Sequence, residues 1–393
     1  MPDTAAARRV KRRDFVVVST TQFFLAFALN FMLVFLPFYV HRISTLEEAA
    51  TLRWLGLIIG AAPAMATFGS TFWGRLTDRF GPKGLFERGM LSHAILVILM
   101  GFTTDLRLLF AIRVVQGFFG GISTIGLIIV AAVSTEDEMA RRMGVYQSAL
   151  TLGQIFAPPL GAMAAAAFGF RGAFLTSGLM LFVVCLFCHL ALSRIPPRPK
   201  QTVAAPIPRL QIWLAWLVSL VGTMHIIFLP SVLPTILGGF DVPESHGLVT
   251  AGTIVFAYGI AAVAGSYGFS RLAGRVAAAR LVLATALGAS ICQVLLHFGM
   301  DTVTFTLIRM VQTGCAAGIF PLILAQLATR SEGKTIGFIN TARFAGNALG
   351  PVTATFILAH SDLFTLYLVL GVGLALASVA HHLGSGVPPK RPV

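Results

Sequence analysis

The chain has 393 residues, 56% of them hydrophobic and only 11% charged, with 32 Phe and 39 Gly. Soluble domains carry about 25% charged residues, so water cannot cover this surface and lipid must replace it over most of the molecule. The net charge of +14 is divided among short clusters between apolar runs, a topology signal that argues against a nucleic-acid partner.

A spanning helix needs about 20 apolar residues, which leaves room for roughly twelve spans and no sizeable soluble domain. The first run, Phe15 to Val40, follows Arg8, Arg9, Lys11, Arg12 and Arg13. It exceeds a signal-peptide core of about 7–15 residues and no small-residue cleavage site follows it, so it is expected to remain as a span. Further spans are predicted near 54–73, 85–103, 106–132, 143–168, 172–193, 210–237, 247–269, 277–299, 302–328, 335–359 and 362–382. With the N-terminus inside, the cytoplasmic segments hold 22 of the 29 Lys and Arg, while the opposite face holds Arg42, Arg53, Arg107 and Arg171. The positive-inside rule then places both termini in the cytoplasm and requires an even number of spans.

Cys185, Cys188, Cys292 and Cys315 all fall in apolar runs. The CxxC pair has neither the strand nor the basic partner of a redox site, so these read as small buried hydrophobes. Arg194 to Arg209 holds five prolines and is expected to be a semi-rigid cytoplasmic linker. It divides an N-terminal six-helix bundle, 1–193, from a C-terminal one, 210–393.

The halves resemble each other. Phe35-Leu36-Pro37 recurs as Phe228-Leu229-Pro230 at a shift of 193, and Ile112-Arg113-Val114-Val115-Gln116 as Ile308-Arg309-Met310-Val311-Gln312 at 196. Gly144 to Pro158 aligns without gaps on Gly337 to Pro351 at 193. Two homologous bundles are an architecture that supports rocking between inward-open and outward-open states.

Three motifs carry a family resemblance. Gly74-Arg75-Leu76-Thr77-Asp78-Arg79-Phe80-Gly81-Pro82-Lys83 resembles the loop signature of the major facilitator superfamily, with Pro82 in place of the usual basic residue. Arg113-Val114-Val115-Gln116-Gly117 resembles its fourth-helix motif. Gly153-Gln154-Ile155-Phe156-Ala157-Pro158-Pro159-Leu160-Gly161 resembles the fifth-helix motif of its proton-driven drug exporters, with Ala157 replacing a glycine. The resemblance implies an all-α membrane fold of two pseudo-symmetric six-helix bundles. It also implies a multi-pass transporter of the bacterial inner membrane, with no cofactor, no metal and a proton gradient as the driving force. The expected partners are a small-molecule substrate and the lipid bilayer, with the protein a monomer.

Asp78 is placed to pair with Arg75, Arg79 or Lys83 and to cap a neighbouring helix, either as a latch that breaks in the transport cycle or as a loop acid satisfied locally. Gly153, Ala157 and Gly161 recur every four residues and permit close helix approach. Pro158 interrupts the ladder, and Gly346, Gly350 and Pro351 rebuild the same face. Charges inside a membrane are costly and usually functional. Arg113, Arg309 and Arg343 lie within predicted spans, while every acid lies in a loop, a tail or the first turn of a span. Arg113 and Arg309 are repeat mates and read as structural or coupling elements. Arg343 matches Leu150 and His225 matches Met32. These breaks in the repeat mark both as candidate substrate contacts, beside a purely structural role for each. Asn30, Gln116, Gln312, Asn340 and Asn347 either line the cavity or bond between helices.

No span carries a carboxylate beyond its first turn, and catalytic groups do not converge, so an enzyme is not expected. An Arg-containing, acid-free interior favours an anionic or zwitterionic substrate, such as a metabolite, siderophore or antibiotic carried outward. Two alternatives stay open: a broad multidrug pump for neutral lipophilic compounds, and a proton-linked importer of organic anions.

Overall fold

The computed structural model describes residues 5–134, 136–193, 209–240, 242–273, 275–328 and 333–384, some helical side chains excepted. The proline-rich stretch 194–208 lies outside them. Among the described residues all regular structure is helical. The helices are α1 Ala5–Phe31, α2 Phe35–Ile43, α3 Glu48–Phe80, α4 Pro82–Met100, α5 Leu106–Phe118, α6 Ile122–Val133 and α7 Glu136–Ala191. They continue with α8 Arg209–Ile227, α9 Leu229–Gly238, α10 Glu244–Leu272, α11 Ala278–Leu295, α12 Thr302–Ala328, α13 Gly333–His360 and α14 Leu363–Gly384.

Acids mark several helix starts. The Asp105 carboxylate accepts from the backbone N–H of Arg107 at 2.6 Å and of Leu108 at 3.1 Å, capping α5. Asp301 does the same for α12, accepting from the Val303 and Thr304 amides at 2.8 and 2.9 Å and from the Thr304 hydroxyl at 2.7 Å. These bonds, the Thr304 hydroxyl foremost, hold the Asp301 carboxyl below its ordinary pKa. Asp14 departs from the expected tail position. Helix α1 begins early enough to enclose it, and it is buried, accepting from the Ser193 amide at 3.2 Å and from Arg13 at 3.3 Å.

Prolines and glycines set the breaks. Pro37 and Pro230, repeat mates, follow the interruptions between α1 and α2 and between α8 and α9. Each removes one backbone donor. Helices α5 and α6 part at Gly120-Gly121, where Gly121 has φ 91°, a left-handed conformation that suits glycine. Their mates at the 196 shift are Ala316 and Ala317, and α12 runs through them unbroken.

Among the described residues, nine helical stretches are long and apolar enough to cross a membrane; α4 and α13 are not among them. One of the nine, Arg142–Ala191, has 50 residues. If straight it would measure about 75 Å at ~1.5 Å per residue, over twice a hydrocarbon core of ~30 Å. It is not straight, because Gly169 has φ 71° and ψ 169° inside α7. The contacts show the chain reversing there. Gly153 abuts Phe23 and Phe27 and Gly161 abuts Phe31, running with α1. Phe174 then packs on Phe35 and Tyr39, and Ser177 donates to the Ala28 carbonyl at 2.8 Å. Ser193 finally meets Asp14, so this arm runs against α1.

The chain forms two compact units. The first comprises 1–44, 61–200 and 244–253; the second comprises 45–60, 201–243 and 254–393. Each includes a short segment from the other half of the sequence. In the first unit, Gly252 of α10 lies on Pro158, Pro159 and Ala162 of α7. In the second, Gly56 and Gly60 of α3 lie on Ala348, Pro351, Val352 and Thr355 of α13.

The interiors differ at matched positions. In the first unit the Tyr146 hydroxyl meets Gln22 Oε1 at 2.5 Å and the Ser123 carbonyl at 2.9 Å, and Gln22 Nε2 donates to Ser123 Oγ at 3.0 Å. Gly126 leaves the space that the Tyr146 ring fills. The mates of Gln22, Ser123, Gly126 and Tyr146 are Ala215, Ile319, Leu322 and Ile339. All four belong to one buried apolar cluster of the second unit. The same junction is thus joined by hydrogen bonds in one unit and by hydrocarbon in the other.

Candidate functional site

Proline has no N–H, so Pro230 leaves the Ile226 carbonyl, four residues earlier, without its helical donor. Arg309 of α12 supplies one. Its Nη2 donates to Ile226 O at 2.7 Å and its Nη1 to His225 O at 2.8 Å, bridging the break between α8 and α9. Nη1 also donates to Gln312 Oε1 at 2.6 Å, and Gln312 passes its amide to Gln293 Oε1 of α11 at 2.9 Å. The guanidinium lies 4.9 Å from the Phe228 ring centre and 4.6 Å from that of Tyr258, each a favourable cation–π distance. Arg309 is fully buried, and no carboxylate pairs with it among the described residues. Its charge is met by carbonyl dipoles and ring faces, as a membrane interior requires.

His225 sits at the same break and is also fully buried. Its Nδ1 lies 2.9 Å from the Val221 carbonyl. A carbonyl only accepts, so Nδ1 carries the proton. Nε2 is buried and has no hydrogen-bond partner among the described residues. In this conformation the ring is closed to any solute.

In the first unit Arg113 Nη1 donates to Gln116 Oε1 at 2.7 Å, repeating the three-residue step of Arg309 and Gln312. Gln116 and Gln312 are both buried. Asn30 Nδ2 donates to the Ala26 carbonyl of its own helix at 2.8 Å.

Arg343 is different. In α13, Ala342, Gly346 and Gly350 are buried, with Gly346 on Leu220 and Thr223 and Gly350 on Met224 and Ile227 of α8. Pro351 is buried as well. Asn340, Arg343 and Asn347 follow at i, i+3 and i+7, which places them on one side of the helix, and all three are half-buried. The Arg343 guanidinium stands 4.9 Å from the centre of the Phe320 ring of α12. No hydrogen bond or ion pair engages it among the described residues. Next to this stripe, Trp216 Nε1 donates to Thr341 Oγ1 at 3.0 Å.

At the start of α4, Lys83 donates to the carbonyls of His189, at 3.0 Å, and of Leu192, groups left over at the end of α7. It also lies 3.6 Å from Glu87, whose other oxygen meets His189 Nδ1 at 3.1 Å. Arg79 is exposed, 5.3 Å from the Phe80 ring centre. The side chains of Arg75 and Asp78 lie outside the described residues. In α7, Gly153, Ala157, Pro158 and Gly161 are buried. Sequence reasoning overlooked the Tyr146–Gln22–Ser123 junction, although all three positions break the repeat. It also overlooked the Lys83–Glu87–His189 cluster, which has no periodic signal.

Residues 18–351 match the sequence profile of the Major Facilitator Superfamily. The chain belongs to this family. It is a secondary transporter with multiple membrane-spanning helices, not an enzyme. Among its relatives is the staphyloferrin B transporter of Staphylococcus aureus, 28% identical over 191 residues that cover 48% of this chain and 46% of that one. Multidrug resistance protein MdtG of Klebsiella pneumoniae is 21% identical over 87% of this chain and 86% of its own. The fold matches a solved D-xylose–proton symporter with a TM-score of 0.75 at 15% identity, covering 93% of this chain and 96% of the other.

Proposed function

We propose that this transporter is a proton-driven exporter of a small anionic or zwitterionic organic compound, working by alternating access, and that Arg343 binds the negative group. The observation that carries this reading is the contrast between the two arginines of the second unit. Arg309 has two backbone carbonyls and a glutamine oxygen bound at 2.6–2.8 Å. Arg343 is half-buried with one aromatic face as its neighbour. A guanidinium held inside a membrane protein without an anion is costly, and a carboxylate would supply the missing partner in bidentate form. Asn340 and Asn347, on the same side of α13, offer further donors. The siderophore-transporting relative is consistent with a polycarboxylate cargo. The alternative, a broad pump for neutral lipophilic compounds, draws support from the resemblance to the multidrug protein and from the 32 Phe and 12 Met.

The test is transport in proteoliposomes under an imposed proton gradient, with carboxylate siderophores and neutral lipophilic dyes as cargo. Arg343→Gln should lower anion transport about 10- to 100-fold, the loss of one hydrogen-bonded charge worth ~1.5–3 kcal/mol, while Arg343→Lys retains part of it. Unchanged anion transport in Arg343→Gln, or equal handling of dyes and anions by the native protein, overturns the reading. Uptake in place of efflux in oriented vesicles would reverse the direction and leave the anion site standing.

A further inference from the structure

A groove of about 390 Å³ opens where the start of α1 meets the start of the first arm of α7, lined by Arg12, Phe15, Val16, Glu138, Arg142 and Val145. Its two arginines are not equivalent. Arg142 is built into the wall: Nη2 pairs with Glu138 at 2.8 Å, Nη1 donates to the Val133 carbonyl at the end of α6 at 2.7 Å, and the guanidinium lies 5.0 Å from the Phe15 ring centre. Glu138 is thereby engaged, and the pair is neutral overall. Arg12 is exposed, with no hydrogen bond or ion pair among the described residues, and Arg9, one turn earlier on the same side, is exposed too. Among the described residues that line the groove, Arg12 therefore leaves one positive charge in excess.

Its other wall is hydrocarbon. Val16 is 54% exposed and Val145 is 47% exposed. Leu152 and Phe156 continue from Val145 at i+7 and i+11 and are also exposed. This stripe lies on the side of α7 away from Gln147, Leu150 and Gln154, which at 100° per residue fall nearly opposite. Cationic head and apolar wall thus follow one another along the helix axis. The basic run precedes the apolar part of α1, the position along a span where lipid headgroups are met.

We infer that this groove binds an anionic phospholipid. Its phosphate sits on Arg12, with Arg9 beside it, and an acyl chain lies along Val16, Val145 and Leu152. A free anion would gain only the Arg12 charge, in water, whereas a phospholipid satisfies the charge and covers the exposed valines together.

The experiment follows thermal unfolding of the purified full chain in neutral detergent with added phosphatidylglycerol, phosphatidylcholine or inorganic phosphate. Phosphatidylglycerol should raise the midpoint in a saturable way, and the other two should not. Arg12→Gln should weaken the phosphatidylglycerol response about fivefold, the contribution expected of one basic residue at a charged membrane surface, without moving the midpoint of the lipid-free protein. Val16→Ser should weaken it by a smaller factor. Arg280→Gln, an exposed cation elsewhere, should leave it unchanged. An equal response to phosphatidylcholine, or a full response in Arg12→Gln, overturns the assignment. So does protection by phosphate alone, which would make the groove a site for a free anion.

Discussion

Replacing Arg309 by methionine strips the break between α8 and α9 of its donors while keeping an unbranched side chain of similar reach. The carbonyls of His225 and Ile226 and the oxygen of Gln312 then lose bonds of 2.8, 2.7 and 2.6 Å. A buried acceptor left unsatisfied costs about 1–3 kcal/mol in water-soluble proteins. Hydrogen bonds in membrane proteins average ~0.6 kcal/mol with a maximum near 1.7. Gln312 Oε1 keeps the Thr313 hydroxyl at 3.0 Å and relief from burying the charge offsets part of the loss, so a net destabilisation of about 1–3 kcal/mol is expected, mostly from the two carbonyls. A second substitution isolates the cause. Pro230→Ala restores an N–H four residues after Ile226, so in the double variant that carbonyl regains a donor from its own helix. Arg309→Met with Pro230→Ala should therefore lose about 1 kcal/mol less than the sum of the single changes, a coupling within the range for groups in one network. Unfolding by denaturing detergent, read through tryptophan emission, suits the measurement because Trp54, Trp213 and Trp216 all belong to the second unit. Strict additivity, or an Arg309→Met variant as stable as the native protein, refutes the clasp.

Two further outcomes follow from the packing. Tyr146→Phe should cost about 1–2 kcal/mol, since Gln22 and Ser123 lose a buried hydroxyl partner. Ile339→Tyr, the mirror change, should cost a similar ~1–3 kcal/mol by overpacking an apolar cluster, both read by the same unfolding assay. Gly161→Val should abolish stable folding or weaken it by more than about 1–3 kcal/mol, because even a β-carbon there runs into the Phe31 carbonyl. Gly84→Ala, with nothing within 4 Å of the new carbon, should be neutral or slightly stabilising on the same scale. Equal stability of the two glycine variants in a fluorescence-detected chromatography assay would show that the approach of α7 to α1 is not limiting.

Much of the helical layout was legible because apolar runs and proline positions act locally. The small-residue face of Gly153, Ala157 and Gly161 and the repeat itself are visible without coordinates, whereas the interruptions before Pro37 and Pro230 fall inside the stretches 15–40 and 210–237, which read as continuous spans. What escaped depends on partners distant in sequence. Asp14 was expected in the tail because an acid beside a basic run looks solvated. Its burial follows from the Ser193 amide, 179 residues away. The interruption at Gly120-Gly121 was hidden in a continuous apolar run, and only its contrast with Ala316-Ala317 makes the two glycines informative. The Tyr146 junction required three repeat-breaking positions to be recognised as neighbours, and no single alignment column carries that.

His225 and Arg343 had the same signature in the sequence: a polar residue in a span where the repeat has a hydrophobic one. The structure separates them by what each polar atom already holds. His225 is closed in at a helix break, with its Nδ1 proton committed to Val221, so a cargo would have to reopen that break to reach it. Arg309, equally conspicuous in the sequence, is consumed by the carbonyls that Pro230 and its break expose. Arg343 has donors to spare, on a side of α13 that also carries Asn340 and Asn347. An intramembrane charge is therefore informative about ligand binding only after the bonds to its own protein have been subtracted. By that measure the two span arginines of the second unit differ in kind: Arg309 is bound to the backbone of its own protein, whereas Arg343 has one aromatic face as its neighbour among the described residues.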